Sequence, residues 1–240
     1  MTEEMRVWME VIFNIAYLIT IWALVILMLR ARPAVATADQ PIASRLLWMF
    51  ALLALGDTGH VGFRVLAYAA GGLEANPLLV GLGAFSTAVT VTIFYMLLVD
   101  VWRLRFKQPL GWAGIFLLAT GIVRLAIMFL PVNQWGQVVP PQPMSLIRNI
   151  PLMIQGLGVM ILILRDAYRY NDRPFQWIGW SILASYAFYT PVILFVQQAP
   201  TVGMLMIPKT LAYVLIAIIA YRTVYQPQHV QPQQKPLQTV

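Results

Sequence analysis

The chain contains no cysteine, which excludes disulfides, thiolate chemistry and cysteine-bound metals. Histidine is nearly as scarce. Of the two present, His60 lies in an apolar run and His229 in the C-terminal tail. A site built from several histidines is therefore not expected, and neither a metal nor a cofactor is implied. Charge is also sparse: Asp, Glu, Lys and Arg make up 10% of the 240 residues, against about a quarter in a soluble domain. Long polar stretches are missing too, apart from the Gln- and Pro-rich segment 226–240, which is expected to be a disordered tail.

What fills the chain is hydrocarbon, at 60% of residues. Seven apolar runs, near 8–29, 45–70, 78–102, 110–130, 144–164, 175–196 and 202–221, each approach the roughly 20 residues that cross a bilayer. Their length, and the lack of ten-residue alternation, predict helices and not a barrel. The expected fold class is all-α, a polytopic bundle of seven transmembrane helices spanning 1–225. Helix-ending residues separate the runs, among them Arg32-Pro33, Gly71-Gly72, Asn171 to Pro174 and Ala199-Pro200. The first run is read as a retained helix, because it is too long for a leader and its flank, Met1-Thr2-Glu3-Glu4, is acidic.

Loop charges predict a direction. Eleven of the 16 Lys and Arg fall on the first, third and fifth loops and the tail, while the opposite side carries only Arg6. The positive-inside rule then places the N-terminus outside and the C-terminus in the cytoplasm. The net charge of +7 is thus an orientation signal, and no nucleic-acid partner is expected. The expected surroundings are a lipid bilayer, with the cytoplasmic ends open to a partner protein of unknown kind.

Four cations remain: Arg64, Arg124, Arg148 and Lys209, all within apolar runs. A charge there is costly unless it faces a polar cavity, a partner or a ligand. At 1.5 Å per residue, all four fall in the outer half of the membrane. Asp57 is the acid near mid-depth, with Glu10 and Glu74 at the outer rim, and Asp100 near the inner end beside Arg103. The excess of positive charge predicts an outward-facing pocket for an anionic or amphipathic molecule, such as a carboxylate, a phosphate or a lipid headgroup.

The second run carries the sharpest pattern, Gly56-Asp57-Thr58-Gly59-His60-Val61-Gly62-Phe63-Arg64. Asp57, His60 and Arg64 are spaced i, i+3, i+7 and share one helix face. Asp57 is placed to orient His60 or raise its basicity, and the glycines permit close approach of a helix or a ligand. Arg124 suits either Asp57 or a helix-end carbonyl. Arg148-Asn149-Ile150-Pro151 combines a cation with carbonyls freed by proline. Pro208-Lys209 suggests a bent helix that carries an amine into the pocket. Tyr186, Tyr189 and Gln155 are candidate walls, and Asn14 could serve the pocket or packing. Thr87, Thr90, Thr92 and Tyr95 are read as helix–helix hydrogen-bonding groups.

Gly56-Asp57-x-x-His60-x-x-x-Arg64, Trp102-Arg103-Leu104-Arg105, Arg148-Asn149-Ile150-Pro151 and Ile207-Pro208-Lys209-Thr210 resemble a group of bacterial seven-helix membrane proteins without an assigned activity. The resemblance implies the fold and a bacterial inner membrane. The Leu55-Gly56-Asp57 step is also similar to lysoplasmalogenases, which hydrolyse an ether-lipid vinyl bond with intramembrane acids. Three functions are carried forward: a binding or sensing protein with Arg64, Arg124, Arg148, Asn149, Gln155, Tyr186, Tyr189 and Lys209 around the ligand; a lipid hydrolase using Asp57 and His60 as acid and base; and a small-solute transporter.

Overall fold

The computed structural model describes residues 3–137 and 141–226, with side chains from residue 8 onward. The tail from residue 227, with His229, lies outside the described residues. Eight α-helices are described: α1 Glu3–Ala31, α2 Gln40–Ala69, α3 Pro77–Arg105, α4 Gly111–Met128, α5 Met144–Ile147, α6 Ile150–Arg169, α7 Arg173–Phe195 and α8 Met206–Ala220. There is no strand among the described residues. Seven helical segments are long and apolar enough to cross a membrane, the fifth being α5 and α6 together. The chain is thus a multi-pass, all-helical membrane bundle.

The surface is that of a body bathed in lipid. Trp112 is 83% exposed, Phe129 71% and Ile19 67%, whereas a water-facing helix would place charge at such positions. The interior is dense with rings. Phe94 meets Phe50, Tyr95 and Tyr213 edge-on at centroid distances of 5.3 to 5.7 Å. Such edge-to-face pairs add to the gain from burial.

Local chemistry sets the helix ends. α2 stops at Gly71 and Gly72, whose φ of +108° and +109° are open only to glycine at low cost. Asn76 Nδ2 then donates to the carbonyls of Ala67, Ala70 and Gly72, and so closes the end of the helix. Asn133 does the same for α4, donating to Ile127, Met128 and Leu130. Asp172 caps α7 by accepting from the Phe175 amide at 3.3 Å.

α2 and α3 form the most extensive helix pair, and small residues bring them together. A Cβ on Gly56 would stand 1.8 Å from Thr90 Oγ1, and one on Gly59 would stand 2.5 Å from Ser86 Oγ. Two of the three glycines on the α2 face therefore serve helix approach. Gly62 has open space where its Cβ would be.

Two segments differ from the sequence-based expectation. The fifth span is interrupted at Arg148 and Asn149, because Pro151 favours the start of a new helix over continuation of the old one. The seventh begins as a 3₁₀ segment, Pro200–Leu205, and Pro208 falls in the first turn of α8. The change from 3₁₀ to α-helix precedes Pro208, so the proline stands in a first turn and not inside a continuous helix.

Candidate functional site

A cavity of about 330 Å³ opens between α1, α2, α3, α6, α7 and the start of α8, in the half of the bundle where α1 begins. Asp57, His60 and Arg64 all line it, as their shared helix face requires. Lys209 joins them from α8, and Tyr186 and Tyr189 from α7. Apolar walls come from Phe13, Leu53, Val61, Val91, Met204 and Ile207. A broader hollow of about 790 Å³ lies at the opposite end, among Arg105, Lys107, Tyr170 and Arg173.

Asp57 is held by hydroxyls. Tyr17 donates to one of its oxygens and Thr87 to the other, both at 2.6 Å. Two short O–H···O⁻ bonds take the place of water around the carboxylate. Among the described residues no hydrogen bond joins Asp57 to His60. The His60 Nδ1 atom is buried and has no hydrogen-bond partner among the described residues.

Lys209 meets rings instead of carboxylates. Its Nζ stands 4.7 Å from the centroid of Tyr189 and 5.5 Å from that of Tyr213. The ring faces are electron-rich and favour the ammonium in a desolvated site. The floor of the cavity is fixed below it: the Tyr95 and Tyr213 hydroxyls share a hydrogen bond of 2.8 Å, and Tyr186 donates to the Leu152 carbonyl at 2.9 Å. Arg64 has no hydrogen bond and no ion pair among the described residues. The same holds for Glu10, which reaches the cavity from α1, while Glu74 is not part of its lining.

Four of the predicted site residues lie outside the cavity lining. Arg124, only 2% exposed, donates to the carbonyls of Arg148 and Ala88 at 3.0 and 2.9 Å and to the Thr92 hydroxyl. Of its two expected roles it takes the carbonyl-binding one, tying α4 to α3 and to the break before α6. Arg148 spreads over the Trp135 ring, 4.5 Å from its centroid. Asn149 donates to the Ser145 carbonyl and accepts from Tyr189, so it supports the wall from behind. Gln155 is buried between α4 and α6, with its Nε2 3.4 Å from the Leu117 carbonyl and its Oε1 unpartnered.

Tyr17 and Tyr213 are site residues that the sequence pattern does not single out, and Thr87 serves the site as well as the helix contact. A positional signal existed for Tyr17. It is 14 residues from the end of α1 at Ala31, and Asp57 is 17 residues from the start of α2 at Gln40. Antiparallel neighbours place such positions at similar depth. Asn14 also lines the cavity. No group of three or more His, Asp or Glu suited to a metal occurs among the described residues.

No protein-family model, curated protein or solved structure matches the chain. The functional reading therefore rests on the geometry of the cavity.

Proposed function

We propose that this is a binding or sensing protein of the bacterial inner membrane. It takes an amphipathic small molecule or lipid, with an anionic group, into the cavity beside Asp57. The observation that carries the reading is that Arg64 and Lys209 line one cavity, and neither has a carboxylate partner among the described residues. Two unpaired cations at membrane depth are costly, and an anion seated between them relieves that cost. The apolar walls suit the hydrocarbon portion of such a molecule. The loop charges support an outward-facing cavity, because the basic loops belong to the other end of the bundle.

The test is native mass spectrometry of protein purified in mild detergent, with thermal shifts against a panel of amphiphiles that carry an anionic group, zwitterionic ones included. Retention or stabilisation by wild type, lost in Arg64→Ala and in Lys209→Ala, supports the reading. A wild-type protein that retains no amphiphile and responds to none overturns it.

That His60 and Asp57 line the same cavity, with the His60 Nδ1 left without a hydrogen-bond partner among the described residues, favours a second reading, a lipid hydrolase in which the two act as base and acid while the two cations hold the headgroup. Turnover of the bound lipid, lost in His60→Gln with binding retained, separates an enzyme from a binder.

A further inference from the structure

The charges that line the cavity cancel. Arg64 and Lys209 face it, and so do Asp57 and Glu10. The other two intramembrane cations add nothing to this balance, since Arg124 is spent on carbonyls and Arg148 lies over Trp135. A ligand carrying only negative charge would satisfy the cations while placing its charge in the field of two carboxylates. In a poorly screened cavity that repulsion is substantial.

The two acids are not equivalent. Both Asp57 oxygens already accept a hydroxyl, from Tyr17 and Thr87. Glu10 is half-buried on the α1 wall and has no hydrogen bond or ion pair among the described residues. It enters from α1, whereas Lys209 enters from α8.

From this balance, and resting on the binding reading above, we infer that the ligand is a zwitterion. Its anionic group is taken by Arg64 and Lys209 and its ammonium by Glu10, with Asp57 contributing field. An amine-bearing phosphodiester on a hydrocarbon chain fits this description, whether it arrives as a membrane lipid or as a soluble headgroup. Charge-assisted N–H···O⁻ bonds from a primary ammonium to Glu10 supply the discrimination. A neutral headgroup of similar size leaves Glu10 without a cation.

The experiment compares dioleoyl phosphatidylethanolamine with dioleoyl phosphatidylglycerol on full-length protein in detergent, by native mass spectrometry and thermal shift. The chains and the phosphodiester are the same, and an uncharged glycerol stands in place of the ammonium-bearing ethanolamine. The expected result is at least a ten-fold preference for the ethanolamine lipid. Glu10→Gln should erase the preference, and Glu10→Asp should keep part of it. Soluble glycerophosphoethanolamine forms a third arm: binding without the chains assigns the headgroup as the source, and no binding assigns the lipid. Equal or tighter binding of the glycerol lipid, with a ratio unmoved by Glu10→Gln, overturns the zwitterion while leaving the binding reading intact. If neither lipid binds and Arg64→Ala changes nothing, both are overturned.

Discussion

At the end of the bundle where α3 and α6 finish, carboxylates and guanidinium groups meet one another; at the end that holds the cavity they do not among the described residues. Asp100 is paired with Arg45 at 2.5 Å and Arg103 at 2.7 Å, and Asp172 with Arg105 at 2.8 Å. Asp166, with no exposed side-chain surface, accepts from Trp102 Nε1 at 2.8 Å and from Arg165. These contacts join α2, α3, α6 and α7, so the charges there fix helices against one another. Around the cavity, Arg64 and Glu10 are unpaired among the described residues, Lys209 rests on rings and Asp57 accepts only hydroxyls. The difference teaches that a charge inside a membrane protein has two uses. Where protein groups already satisfy it, the charge is architecture. Where they do not, it is available to something that arrives.

The sharpest way to break this contrast is Arg124, a cation that shares the cavity's half of the bundle yet is satisfied like those at the other end. Arg124→Met removes a charged donor from two part-buried carbonyls and from the Thr92 hydroxyl, and should destabilise the protein by about 3 kcal/mol. Thermal unfolding in detergent should show the largest drop in the series. Asp166→Asn comes next, at about 2 kcal/mol, mostly through the Trp102 bond. The Arg165 side chain is 58% exposed, so its share of the pairing is small. Tyr17→Phe and Thr87→Val each remove one donor from Asp57 and should cost about 1 kcal/mol apiece. Because the two share an acceptor, their double variant should depart from additivity.

Arg64→Ala should have the smallest effect on the empty protein, below about 0.5 kcal/mol, since no protein contact is lost. Its effect should instead fall on binding, as roughly a ten-fold loss for an anionic amphiphile, equivalent to about 1.4 kcal/mol. If Arg64→Ala lowers the melting temperature of the empty protein as far as Asp166→Asn does, the distinction between the two ends fails.

The seven spans were legible because an apolar run of bilayer length suits little besides a helix that crosses the membrane. Their ends were less so. α1 extends from Glu3 to Ala31, beyond the apolar run 8–29, because backbone hydrogen bonds do not stop where hydrocarbon does. On α2, the spacing of Asp57, His60 and Arg64 was enough to place them on one wall. Arg124 and Arg148 expose the limit of that reasoning. A cation in an apolar run announces burial, but depth does not say whether carbonyls, an indole or a cavity will meet it. Tyr17 shows the converse, since a tyrosine in a membrane helix carries no message until its partner across the loop is known.

The two hydroxyls on Asp57 also bear on how the protein comes to be assembled. Tyr17 belongs to α1 and Thr87 to α3, the helices immediately before and after α2 in the chain. Both donors that Asp57 uses are thus contained in the first three spans. A growing chain that has placed only those three in the bilayer already holds the groups that solvate its most awkward carboxylate, before the remaining four spans are made.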